Sequence, residues 1–234
     1  GDGIIIISDS GLADFRMMMY NSDGSRGKMC GNGIRCVGKL VYDLRLTHFH
    51  HIEIETDSGI RRLELILNSG SCVGACVSMG KPVAIGSALL ADRALFGVNV
   101  GNNHISAFCN SSCEIALAPW AALAQSAMPE IENANVELCE ITGENRIRMR
   151  VFENGTGETL SCGTGACAVA FSAVSQGFCN AESPVIVEMD GGFCTVSFKN
   201  DEAFLEGEAI RAFSGEIIVP AKVLNSQKMA KANK

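Results

Sequence analysis

The sequence predicts an α+β protein made of two copies of one unit, and three observations carry that expectation. An unusual phrase occurs twice, Met-Cys-Gly-Asn-Gly-Ile-Arg-Cys from Met29 and Ser-Cys-Gly-Thr-Gly-Ala-Cys from Ser161, so that Cys30 and Cys162 lie 132 positions apart. Each phrase follows a strand-like segment and a Gly/Ser/Asp/Asn-rich loop, and each opens a helix-like run. A second shared phrase sets Ile54-Glu55-Thr56-Asp57-Ser58-Gly59 against Val187-Glu188-Met189-Asp190-Gly191-Gly192, at an offset of 133.

The elements follow in order. Residues 4–8 and 14–20 read as strands, and Tyr20 stands ten residues ahead of Cys30 as Phe152 stands ten ahead of Cys162. A helix is expected over 34–43, then strands over 52–55, 61–67 and 72–79, the last stopped by Gly80-Lys81-Pro82. Residues 87–98 read as the crossing between domains. The second copy opens over 98–109 and continues through a helix at 119–126 and strands at 136–141 and 146–152. It then repeats the loop, a helix over 166–176 and the strand pair. Residues 221–234 hold four lysines and little apolar pattern, which reads as a frayed tail.

Composition narrows the function. A chain of 234 residues with 47% hydrophobic and 19% charged content can fill two small cores. A net charge of −7 and the lack of a basic stripe argue against nucleic acid or an anionic membrane as partner. No run of eighteen apolar residues and no signal-like segment is read in the sequence. Eleven cysteines, an odd number scattered through apolar strands, fit a reducing cytoplasm better than a disulfide scaffold. No cysteine or histidine spacing fits zinc, the His48, His50, His51 cluster included, so no metal is expected.

The repeated cysteines point to chemistry. A Cys-Gly-x-Gly turn entering a helix places the thiol beside unpaired N–H groups and the positive end of the helix dipole, both of which favour thiolate. The glycines let a ligand approach the backbone, and the free N–H groups suit a carboxylate. Two such sites facing one another would hold a carboxylate between two helix ends, with a thiol on each side of the neighbouring carbon. A base on one face and an acid on the other can invert that carbon. The plainer reading, a buried small residue or a disulfide, fits a lone cysteine well and fits the duplicated glycine context poorly.

With these motifs in view, the sequence resembles the diaminopimelate epimerase family, cofactor-independent enzymes that interconvert the L,L and meso forms of diaminopimelate. The resemblance runs from Gly1 to about Val219. Besides the cysteine phrases it rests on Tyr20-Asn21-Ser22-Asp23-Gly24-Ser25, Gly101-Asn102-Asn103-His104, Glu153 with Gly157-Glu158-Thr159, and Gly215-Glu216-Ile217-Ile218. It implies two pseudo-symmetric domains, 1–92 and 93–210, each a mixed, barrel-like sheet around a central helix. A strand within 211–219 would return to the first domain, and 220–234 would be a tail. The family's N-terminal strand, helix and His-Gly-x-Gly-Asn-Asp-Phe loop are not found in this chain, so the chain reads as a truncated member.

The resemblance also implies roles. Cys30 and Cys162 become the catalytic acid/base pair, and His104 and Glu153 the groups that tune them. Asn21, Asn102, Asn135, Glu153 and Asn154 match substrate-binding positions, and the N–H groups of Gly31, Asn32, Gly163 and Thr164 would hold the α-carboxylate. Read without the resemblance, Asn21 is equally a turn residue, His104 a core histidine and Glu153 a solvated acid. The implied partner is a small-molecule amino-acid substrate with no cofactor, and a homodimer is implied because family members are commonly dimers. Asn154 stands where the family usually has an arginine that contacts the distal carboxylate. That departure keeps open a racemase of another amino acid, such as histidine, and a non-catalytic carboxylate-binding module is the reading from a different class.

Overall fold

The computed structural model describes residues 3–27, 29–112 and 114–216. The first half runs β1 (Gly3–Ser8), β2 (Phe15–Asn21), a short β3 (Arg26–Gly27), α1 (Gly31–Asp43), β4 (His51–Thr56), β5 (Gly59–Asn68) and β6 (Ser71–Gly80). There follow β7 (Val83–Leu90), β8 (Arg93–Asn99), β9 (Asn103–Phe108) and α2 (Leu117–Ala127). The chain then gives β10 (Asn135–Gly143), β11 (Arg146–Glu153), β12 (Gly157–Thr159), α3 (Gly163–Ser175), β13 (Val185–Met189), β14 (Gly192–Lys199) and β15 (Glu202–Glu208). Alternation explains the strands: in β4, Ile52 and Ile54 are buried while His51 and Glu53 face solvent. Helix α1 buries Ile34, Val37 and Val41, the helical spacing that makes one apolar face.

The strands join in one continuous path, β1-β2-β4-β5-β6-β15-β14-β13-β11-β10-β9-β8-β7. Its first ten members read the same from either end of the repeat, because β1, β2, β4, β5 and β6 match β10, β11, β13, β14 and β15. The registers agree: Ile4 faces Tyr20 as Val136 faces Phe152, and Phe15 pairs in parallel with Ile54 as Ile147 pairs with Val187. In both halves a helix carries the chain between two neighbouring parallel strands, a connection that parallel pairing requires. The pseudo-dyad passes between β6 and β15, which pair antiparallel. One buried cluster crosses this seam, with Ile34 and Val77 from one side and Ala166 and Leu205 from the other.

The halves differ beyond the repeat. Strands β7, β8 and β9 extend only the second half, where α2 packs with them over a separate core of Leu95, Ile105, Trp120 and Val136. Helix α3 touches strands on both sides, including β8, β9, β14 and β15, and is buried almost all round. Helix α1 has no such extra cover, and Cys36 and Leu40 are exposed on it. The expected crossing at 87–98 is instead a β7–β8 hairpin, with Leu90 opposite Arg93. Since β7 pairs β8, residues 83–92 join the sheet of the second half, ten residues ahead of the expected boundary at 93. Gly97 and Gly86 had blurred the strand pattern there: a Cβ on Gly97 would meet Ile131 Cδ1 at 2.2 Å, so the small residues reflect close packing, not a linker. Residues 211–216 carry no strand, and the rest of the expected closing strand and tail, 217–234, lies outside the described residues. Among the described residues no helix is long and apolar enough to cross a membrane.

The seam is intolerant of added atoms. A Cβ on Gly74 would sit 2.5 Å from the Gly207 carbonyl oxygen and 3.2 Å from the Glu208 Cα, both backbone atoms that cannot step aside. Gly74→Ala should therefore destabilise the protein by about 1–3 kcal/mol, read as a lowered thermal midpoint. Gly11→Ala, where nothing lies within 4 Å, serves as the control and should leave the midpoint unchanged.

Candidate active site between two helix starts

Both repeated cysteines cap their helices. Cys30 precedes α1 in extended conformation with its Sγ accepting the Gly33 N–H at 3.3 Å, and Cys162 does the same before α3 with the Gly165 N–H at 3.4 Å. A thiol is an unusual cap, but it has the short side chain and acceptor that the position needs. The two helix starts then meet. A Cβ on Gly163 would fall 2.9 Å from Leu205 Cδ2 and 3.5 Å from the Gly31 Cα, and one on Gly31 would fall 3.0 Å from the same Leu205 methyl. Glycine at both positions leaves room for the Leu205 methyl beside the two ends. Asn32 donates across the junction to Ser161 Oγ at 2.9 Å and accepts from Arg35 at 3.1 Å, tying the two loops together.

Around this junction lies a cavity of about 270 Å³. Cys30, Gly31, Asn32, Cys162, Gly163, Thr164, Asn102 and Glu153 line it, so the structure brings eight of the residues expected from sequence to one place. Helix geometry leaves the N–H groups of Gly31, Asn32, Gly163 and Thr164 without intrahelical acceptors. These donors and two positive helix ends make a site for an anion.

The two thiols stand in different surroundings. Cys30 is half-buried, whereas Cys162 is only 7% exposed. Burial first, and then the negative charges of Glu153 and Glu137, push the Cys162 thiol up to about 12, against smaller opposing effects from Thr164 and the Gly165 N–H. Cys162 is therefore a protonated thiol at neutral pH, a group that can give a proton. Glu153 accepts from Thr159 Oγ1 at 2.6 Å, which holds its carboxylate at the cavity wall.

The remaining expected residues take other positions. His104 is fully buried, outside the cavity lining, with Nδ1 2.6 Å from Glu137 Oε1. Glu137 fits against the start of α3 because position 165 is glycine: a Cβ there would lie 2.8 Å from Glu137 Oε1. Asn135 is buried behind Cys162, its Nδ2 3.9 Å from Sγ and its Oδ1 accepting the Asn154 N–H at 2.9 Å. The Asn154 side chain is exposed and faces Asn133 Oδ1 at 3.5 Å, so it does not reach the cavity. Asn21 is exposed too, donating to Ser25 Oγ at 3.0 Å in the turn after β2, and is outside the lining.

Sequence reasoning missed Glu137, Ser58 and Arg61. The signal for Glu137 was an acid at an inward position of an apolar strand. That for Arg61 was its alternation with Leu63 and Leu65, which sets it on the core face of β5.

Paired thiols at facing helix starts, on a duplicated α+β frame, make a candidate acid/base site. Comparisons with known proteins give the family. The family model for diaminopimelate epimerase matches residues 1–85 and 96–212. A diaminopimelate epimerase of Bacteroides thetaiotaomicron is 38% identical over 228 residues, covering 92% of this chain and 82% of that protein. One of Methanococcus maripaludis is 36% identical over 235 residues, covering 92% and 84%. This chain belongs to the diaminopimelate epimerase family. Solved structures show the same fold at low identity. A probable proline racemase from Agrobacterium radiobacter superposes with TM-score 0.70 at 14% identity, covering 93% of this chain and 76% of that one. A predicted epimerase from Pseudomonas aeruginosa gives 0.67 at 16% identity, with 90% and 83% covered.

The Cys162 environment sets a test by alkylation. In the wild type, the rate at which iodoacetamide labels Cys162, read by mass spectrometry, should keep rising beyond pH 9 instead of levelling near the ordinary thiol value of about 8.5. Glu153→Gln removes a negative neighbour, lowers that thiol's pKa and should speed its labelling at pH 8 several-fold. An unchanged rate would mean that Glu153 does not act on Cys162.

Proposed function

We propose that this protein epimerises L,L-diaminopimelate to meso-diaminopimelate by a two-cysteine acid/base mechanism. The observation that carries the proposal is that two thiols, each capping its own helix, line one cavity beside a doubled set of free N–H groups. The substrate α-carboxylate would accept from the N–H groups of Gly31, Asn32, Gly163 and Thr164. Negative charge that builds on the carboxylate when Cα loses its proton is met by these donors and the two helix dipoles. In the resting enzyme Cys162 holds its proton and Cys30 acts as the base. Cys30 removes the Cα hydrogen from one face and Cys162 delivers its own to the other, leaving the protonation states exchanged and the product inverted.

Glu153 and the His104–Glu137 pair would act on Cys162 as positioning groups, keeping the thiol protonated until the carbanion accepts its proton. Asn102 would contact the far end of the substrate, with Asn135 shaping that wall from behind and Asn21 at its rim. The relatives named as diaminopimelate epimerases support this substrate over histidine or a purely binding role. A cytoplasmic setting fits the ten described cysteines, all unbridged. A homodimer is the assembly we expect, to be read by sedimentation.

The experiment is epimerisation followed by proton NMR in D₂O, where turnover exchanges the Cα hydrogen for deuterium. Cys30→Ala and Cys162→Ala should each lower turnover by roughly 10²–10⁴-fold, because one thiol cannot serve both faces. If either variant kept near wild-type turnover, the two-cysteine mechanism would be wrong. Since N–H groups and dipoles replace an electron sink, the purified protein should show no pyridoxal absorbance and keep its activity in the presence of a chelator.

A further inference from the structure

The cavity contains a charge that the mechanism leaves unused. Arg61 leaves the start of β5 on the core face, opposite the fully buried Ile54 of β4, and its side chain passes Gly80 to reach the cavity. It is the one cation among the described lining residues, and Glu153 is the one acid. Its neighbours do not neutralise it. Glu202, the acid that acts on it, already holds Arg62 with two hydrogen bonds at 2.9 and 2.7 Å. The Arg61 Nε is buried and has no hydrogen-bond partner, and burial pulls the guanidinium below the ordinary arginine value while leaving it charged. An unpaired, partly desolvated guanidinium is costly to maintain, and the cost is offset when an anion accepts from it.

We propose that Arg61 binds the second carboxylate of the substrate and thereby selects for amino acids with an anionic far end. The charges of the site divide accordingly: helix-start N–H groups for the α-carboxylate, Glu153 for an ammonium group, and Arg61 for a further carboxylate. A monocarboxylate amino acid would leave the guanidinium unpaired. The assignment also accounts for Asn154, whose side chain faces Asn133 and leaves the cavity without a cation from that position. It rests on the epimerase reading above and adds to it the residue that holds the far carboxylate.

The test measures kcat and KM for diaminopimelate in the wild type, Arg61→Gln and Arg61→Lys. Loss of a charge-assisted contact made equally in ground and transition states raises KM and spares kcat. Arg61→Gln should therefore raise KM about 10–100-fold with kcat little changed, and Arg61→Lys, which keeps the charge without the fork, should fall between. Arg61→Met keeps the apolar stem and carries the same expectation as Arg61→Gln should the latter fold poorly, as judged by thermal midpoint. An unchanged KM overturns the proposal, and so does a collapse of kcat at constant KM, which would place the guanidinium on the Cys30 thiolate instead. A wild type that does not turn over diaminopimelate would overturn the epimerase reading itself, an outcome distinct from either result on the variants.

Discussion

The meeting of two helix starts over Leu205 is the constraint on which the rest of the structure depends. Gly31 and Gly163 approach so closely that a methyl group on either would press on the same leucine. This approach aims two sets of free N–H groups and two thiols into one space. It also brings two positive dipole ends together, an arrangement that repels unless negative charge stands nearby. Glu153 at the cavity wall and Glu137 against α3 place acidic side chains beside it. The site is therefore built to want an anion before any substrate arrives.

That junction is held from behind by the β6–β15 seam. Because these two strands pair antiparallel across the pseudo-dyad, the two halves share one sheet and one buried cluster. Gly207 leaves room for the Arg35 guanidinium, which bonds the Gly31 carbonyl at 3.1 Å and Asn32 at 3.1 Å. A buried arginine thus carries the position of the seam directly into the Cys30 helix start.

Repetition of the motif does not make the two thiols equivalent. The second half adds β7, β8, β9 and α2; of these β8 and β9 pack on α3, and Cys162 at its start sits buried near Glu153 and Glu137. Cys30 keeps more solvent contact, because α1 has cover on fewer sides. Two copies of one phrase are thus placed in unlike surroundings, and burial with nearby negative charge raises the thiol pKa at Cys162.

Much of this was legible in the chain. The doubled Cys-Gly-x-Gly phrase, its glycines and the flanking alternation determined the capping thiols, the duplicated α+β unit and most of the cavity lining, because each is a local property of short segments. The β7–β8 hairpin was not legible, since its glycines are chosen by Ile131 and other contacts far along the chain. Nor were the separate fates of His104, Asn21 and Asn154, or the roles of Glu137 and Arg61. A residue type states what a side chain can do, but burial and the neighbours that claim it decide what it does. Glu202 is taken by Arg62 and not by Arg61, and Glu137 is taken by His104, only because strands remote in sequence are brought close in the sheet. Only the tertiary structure, by setting which charges are satisfied and which are left to face the cavity, decided where the site is unpaired.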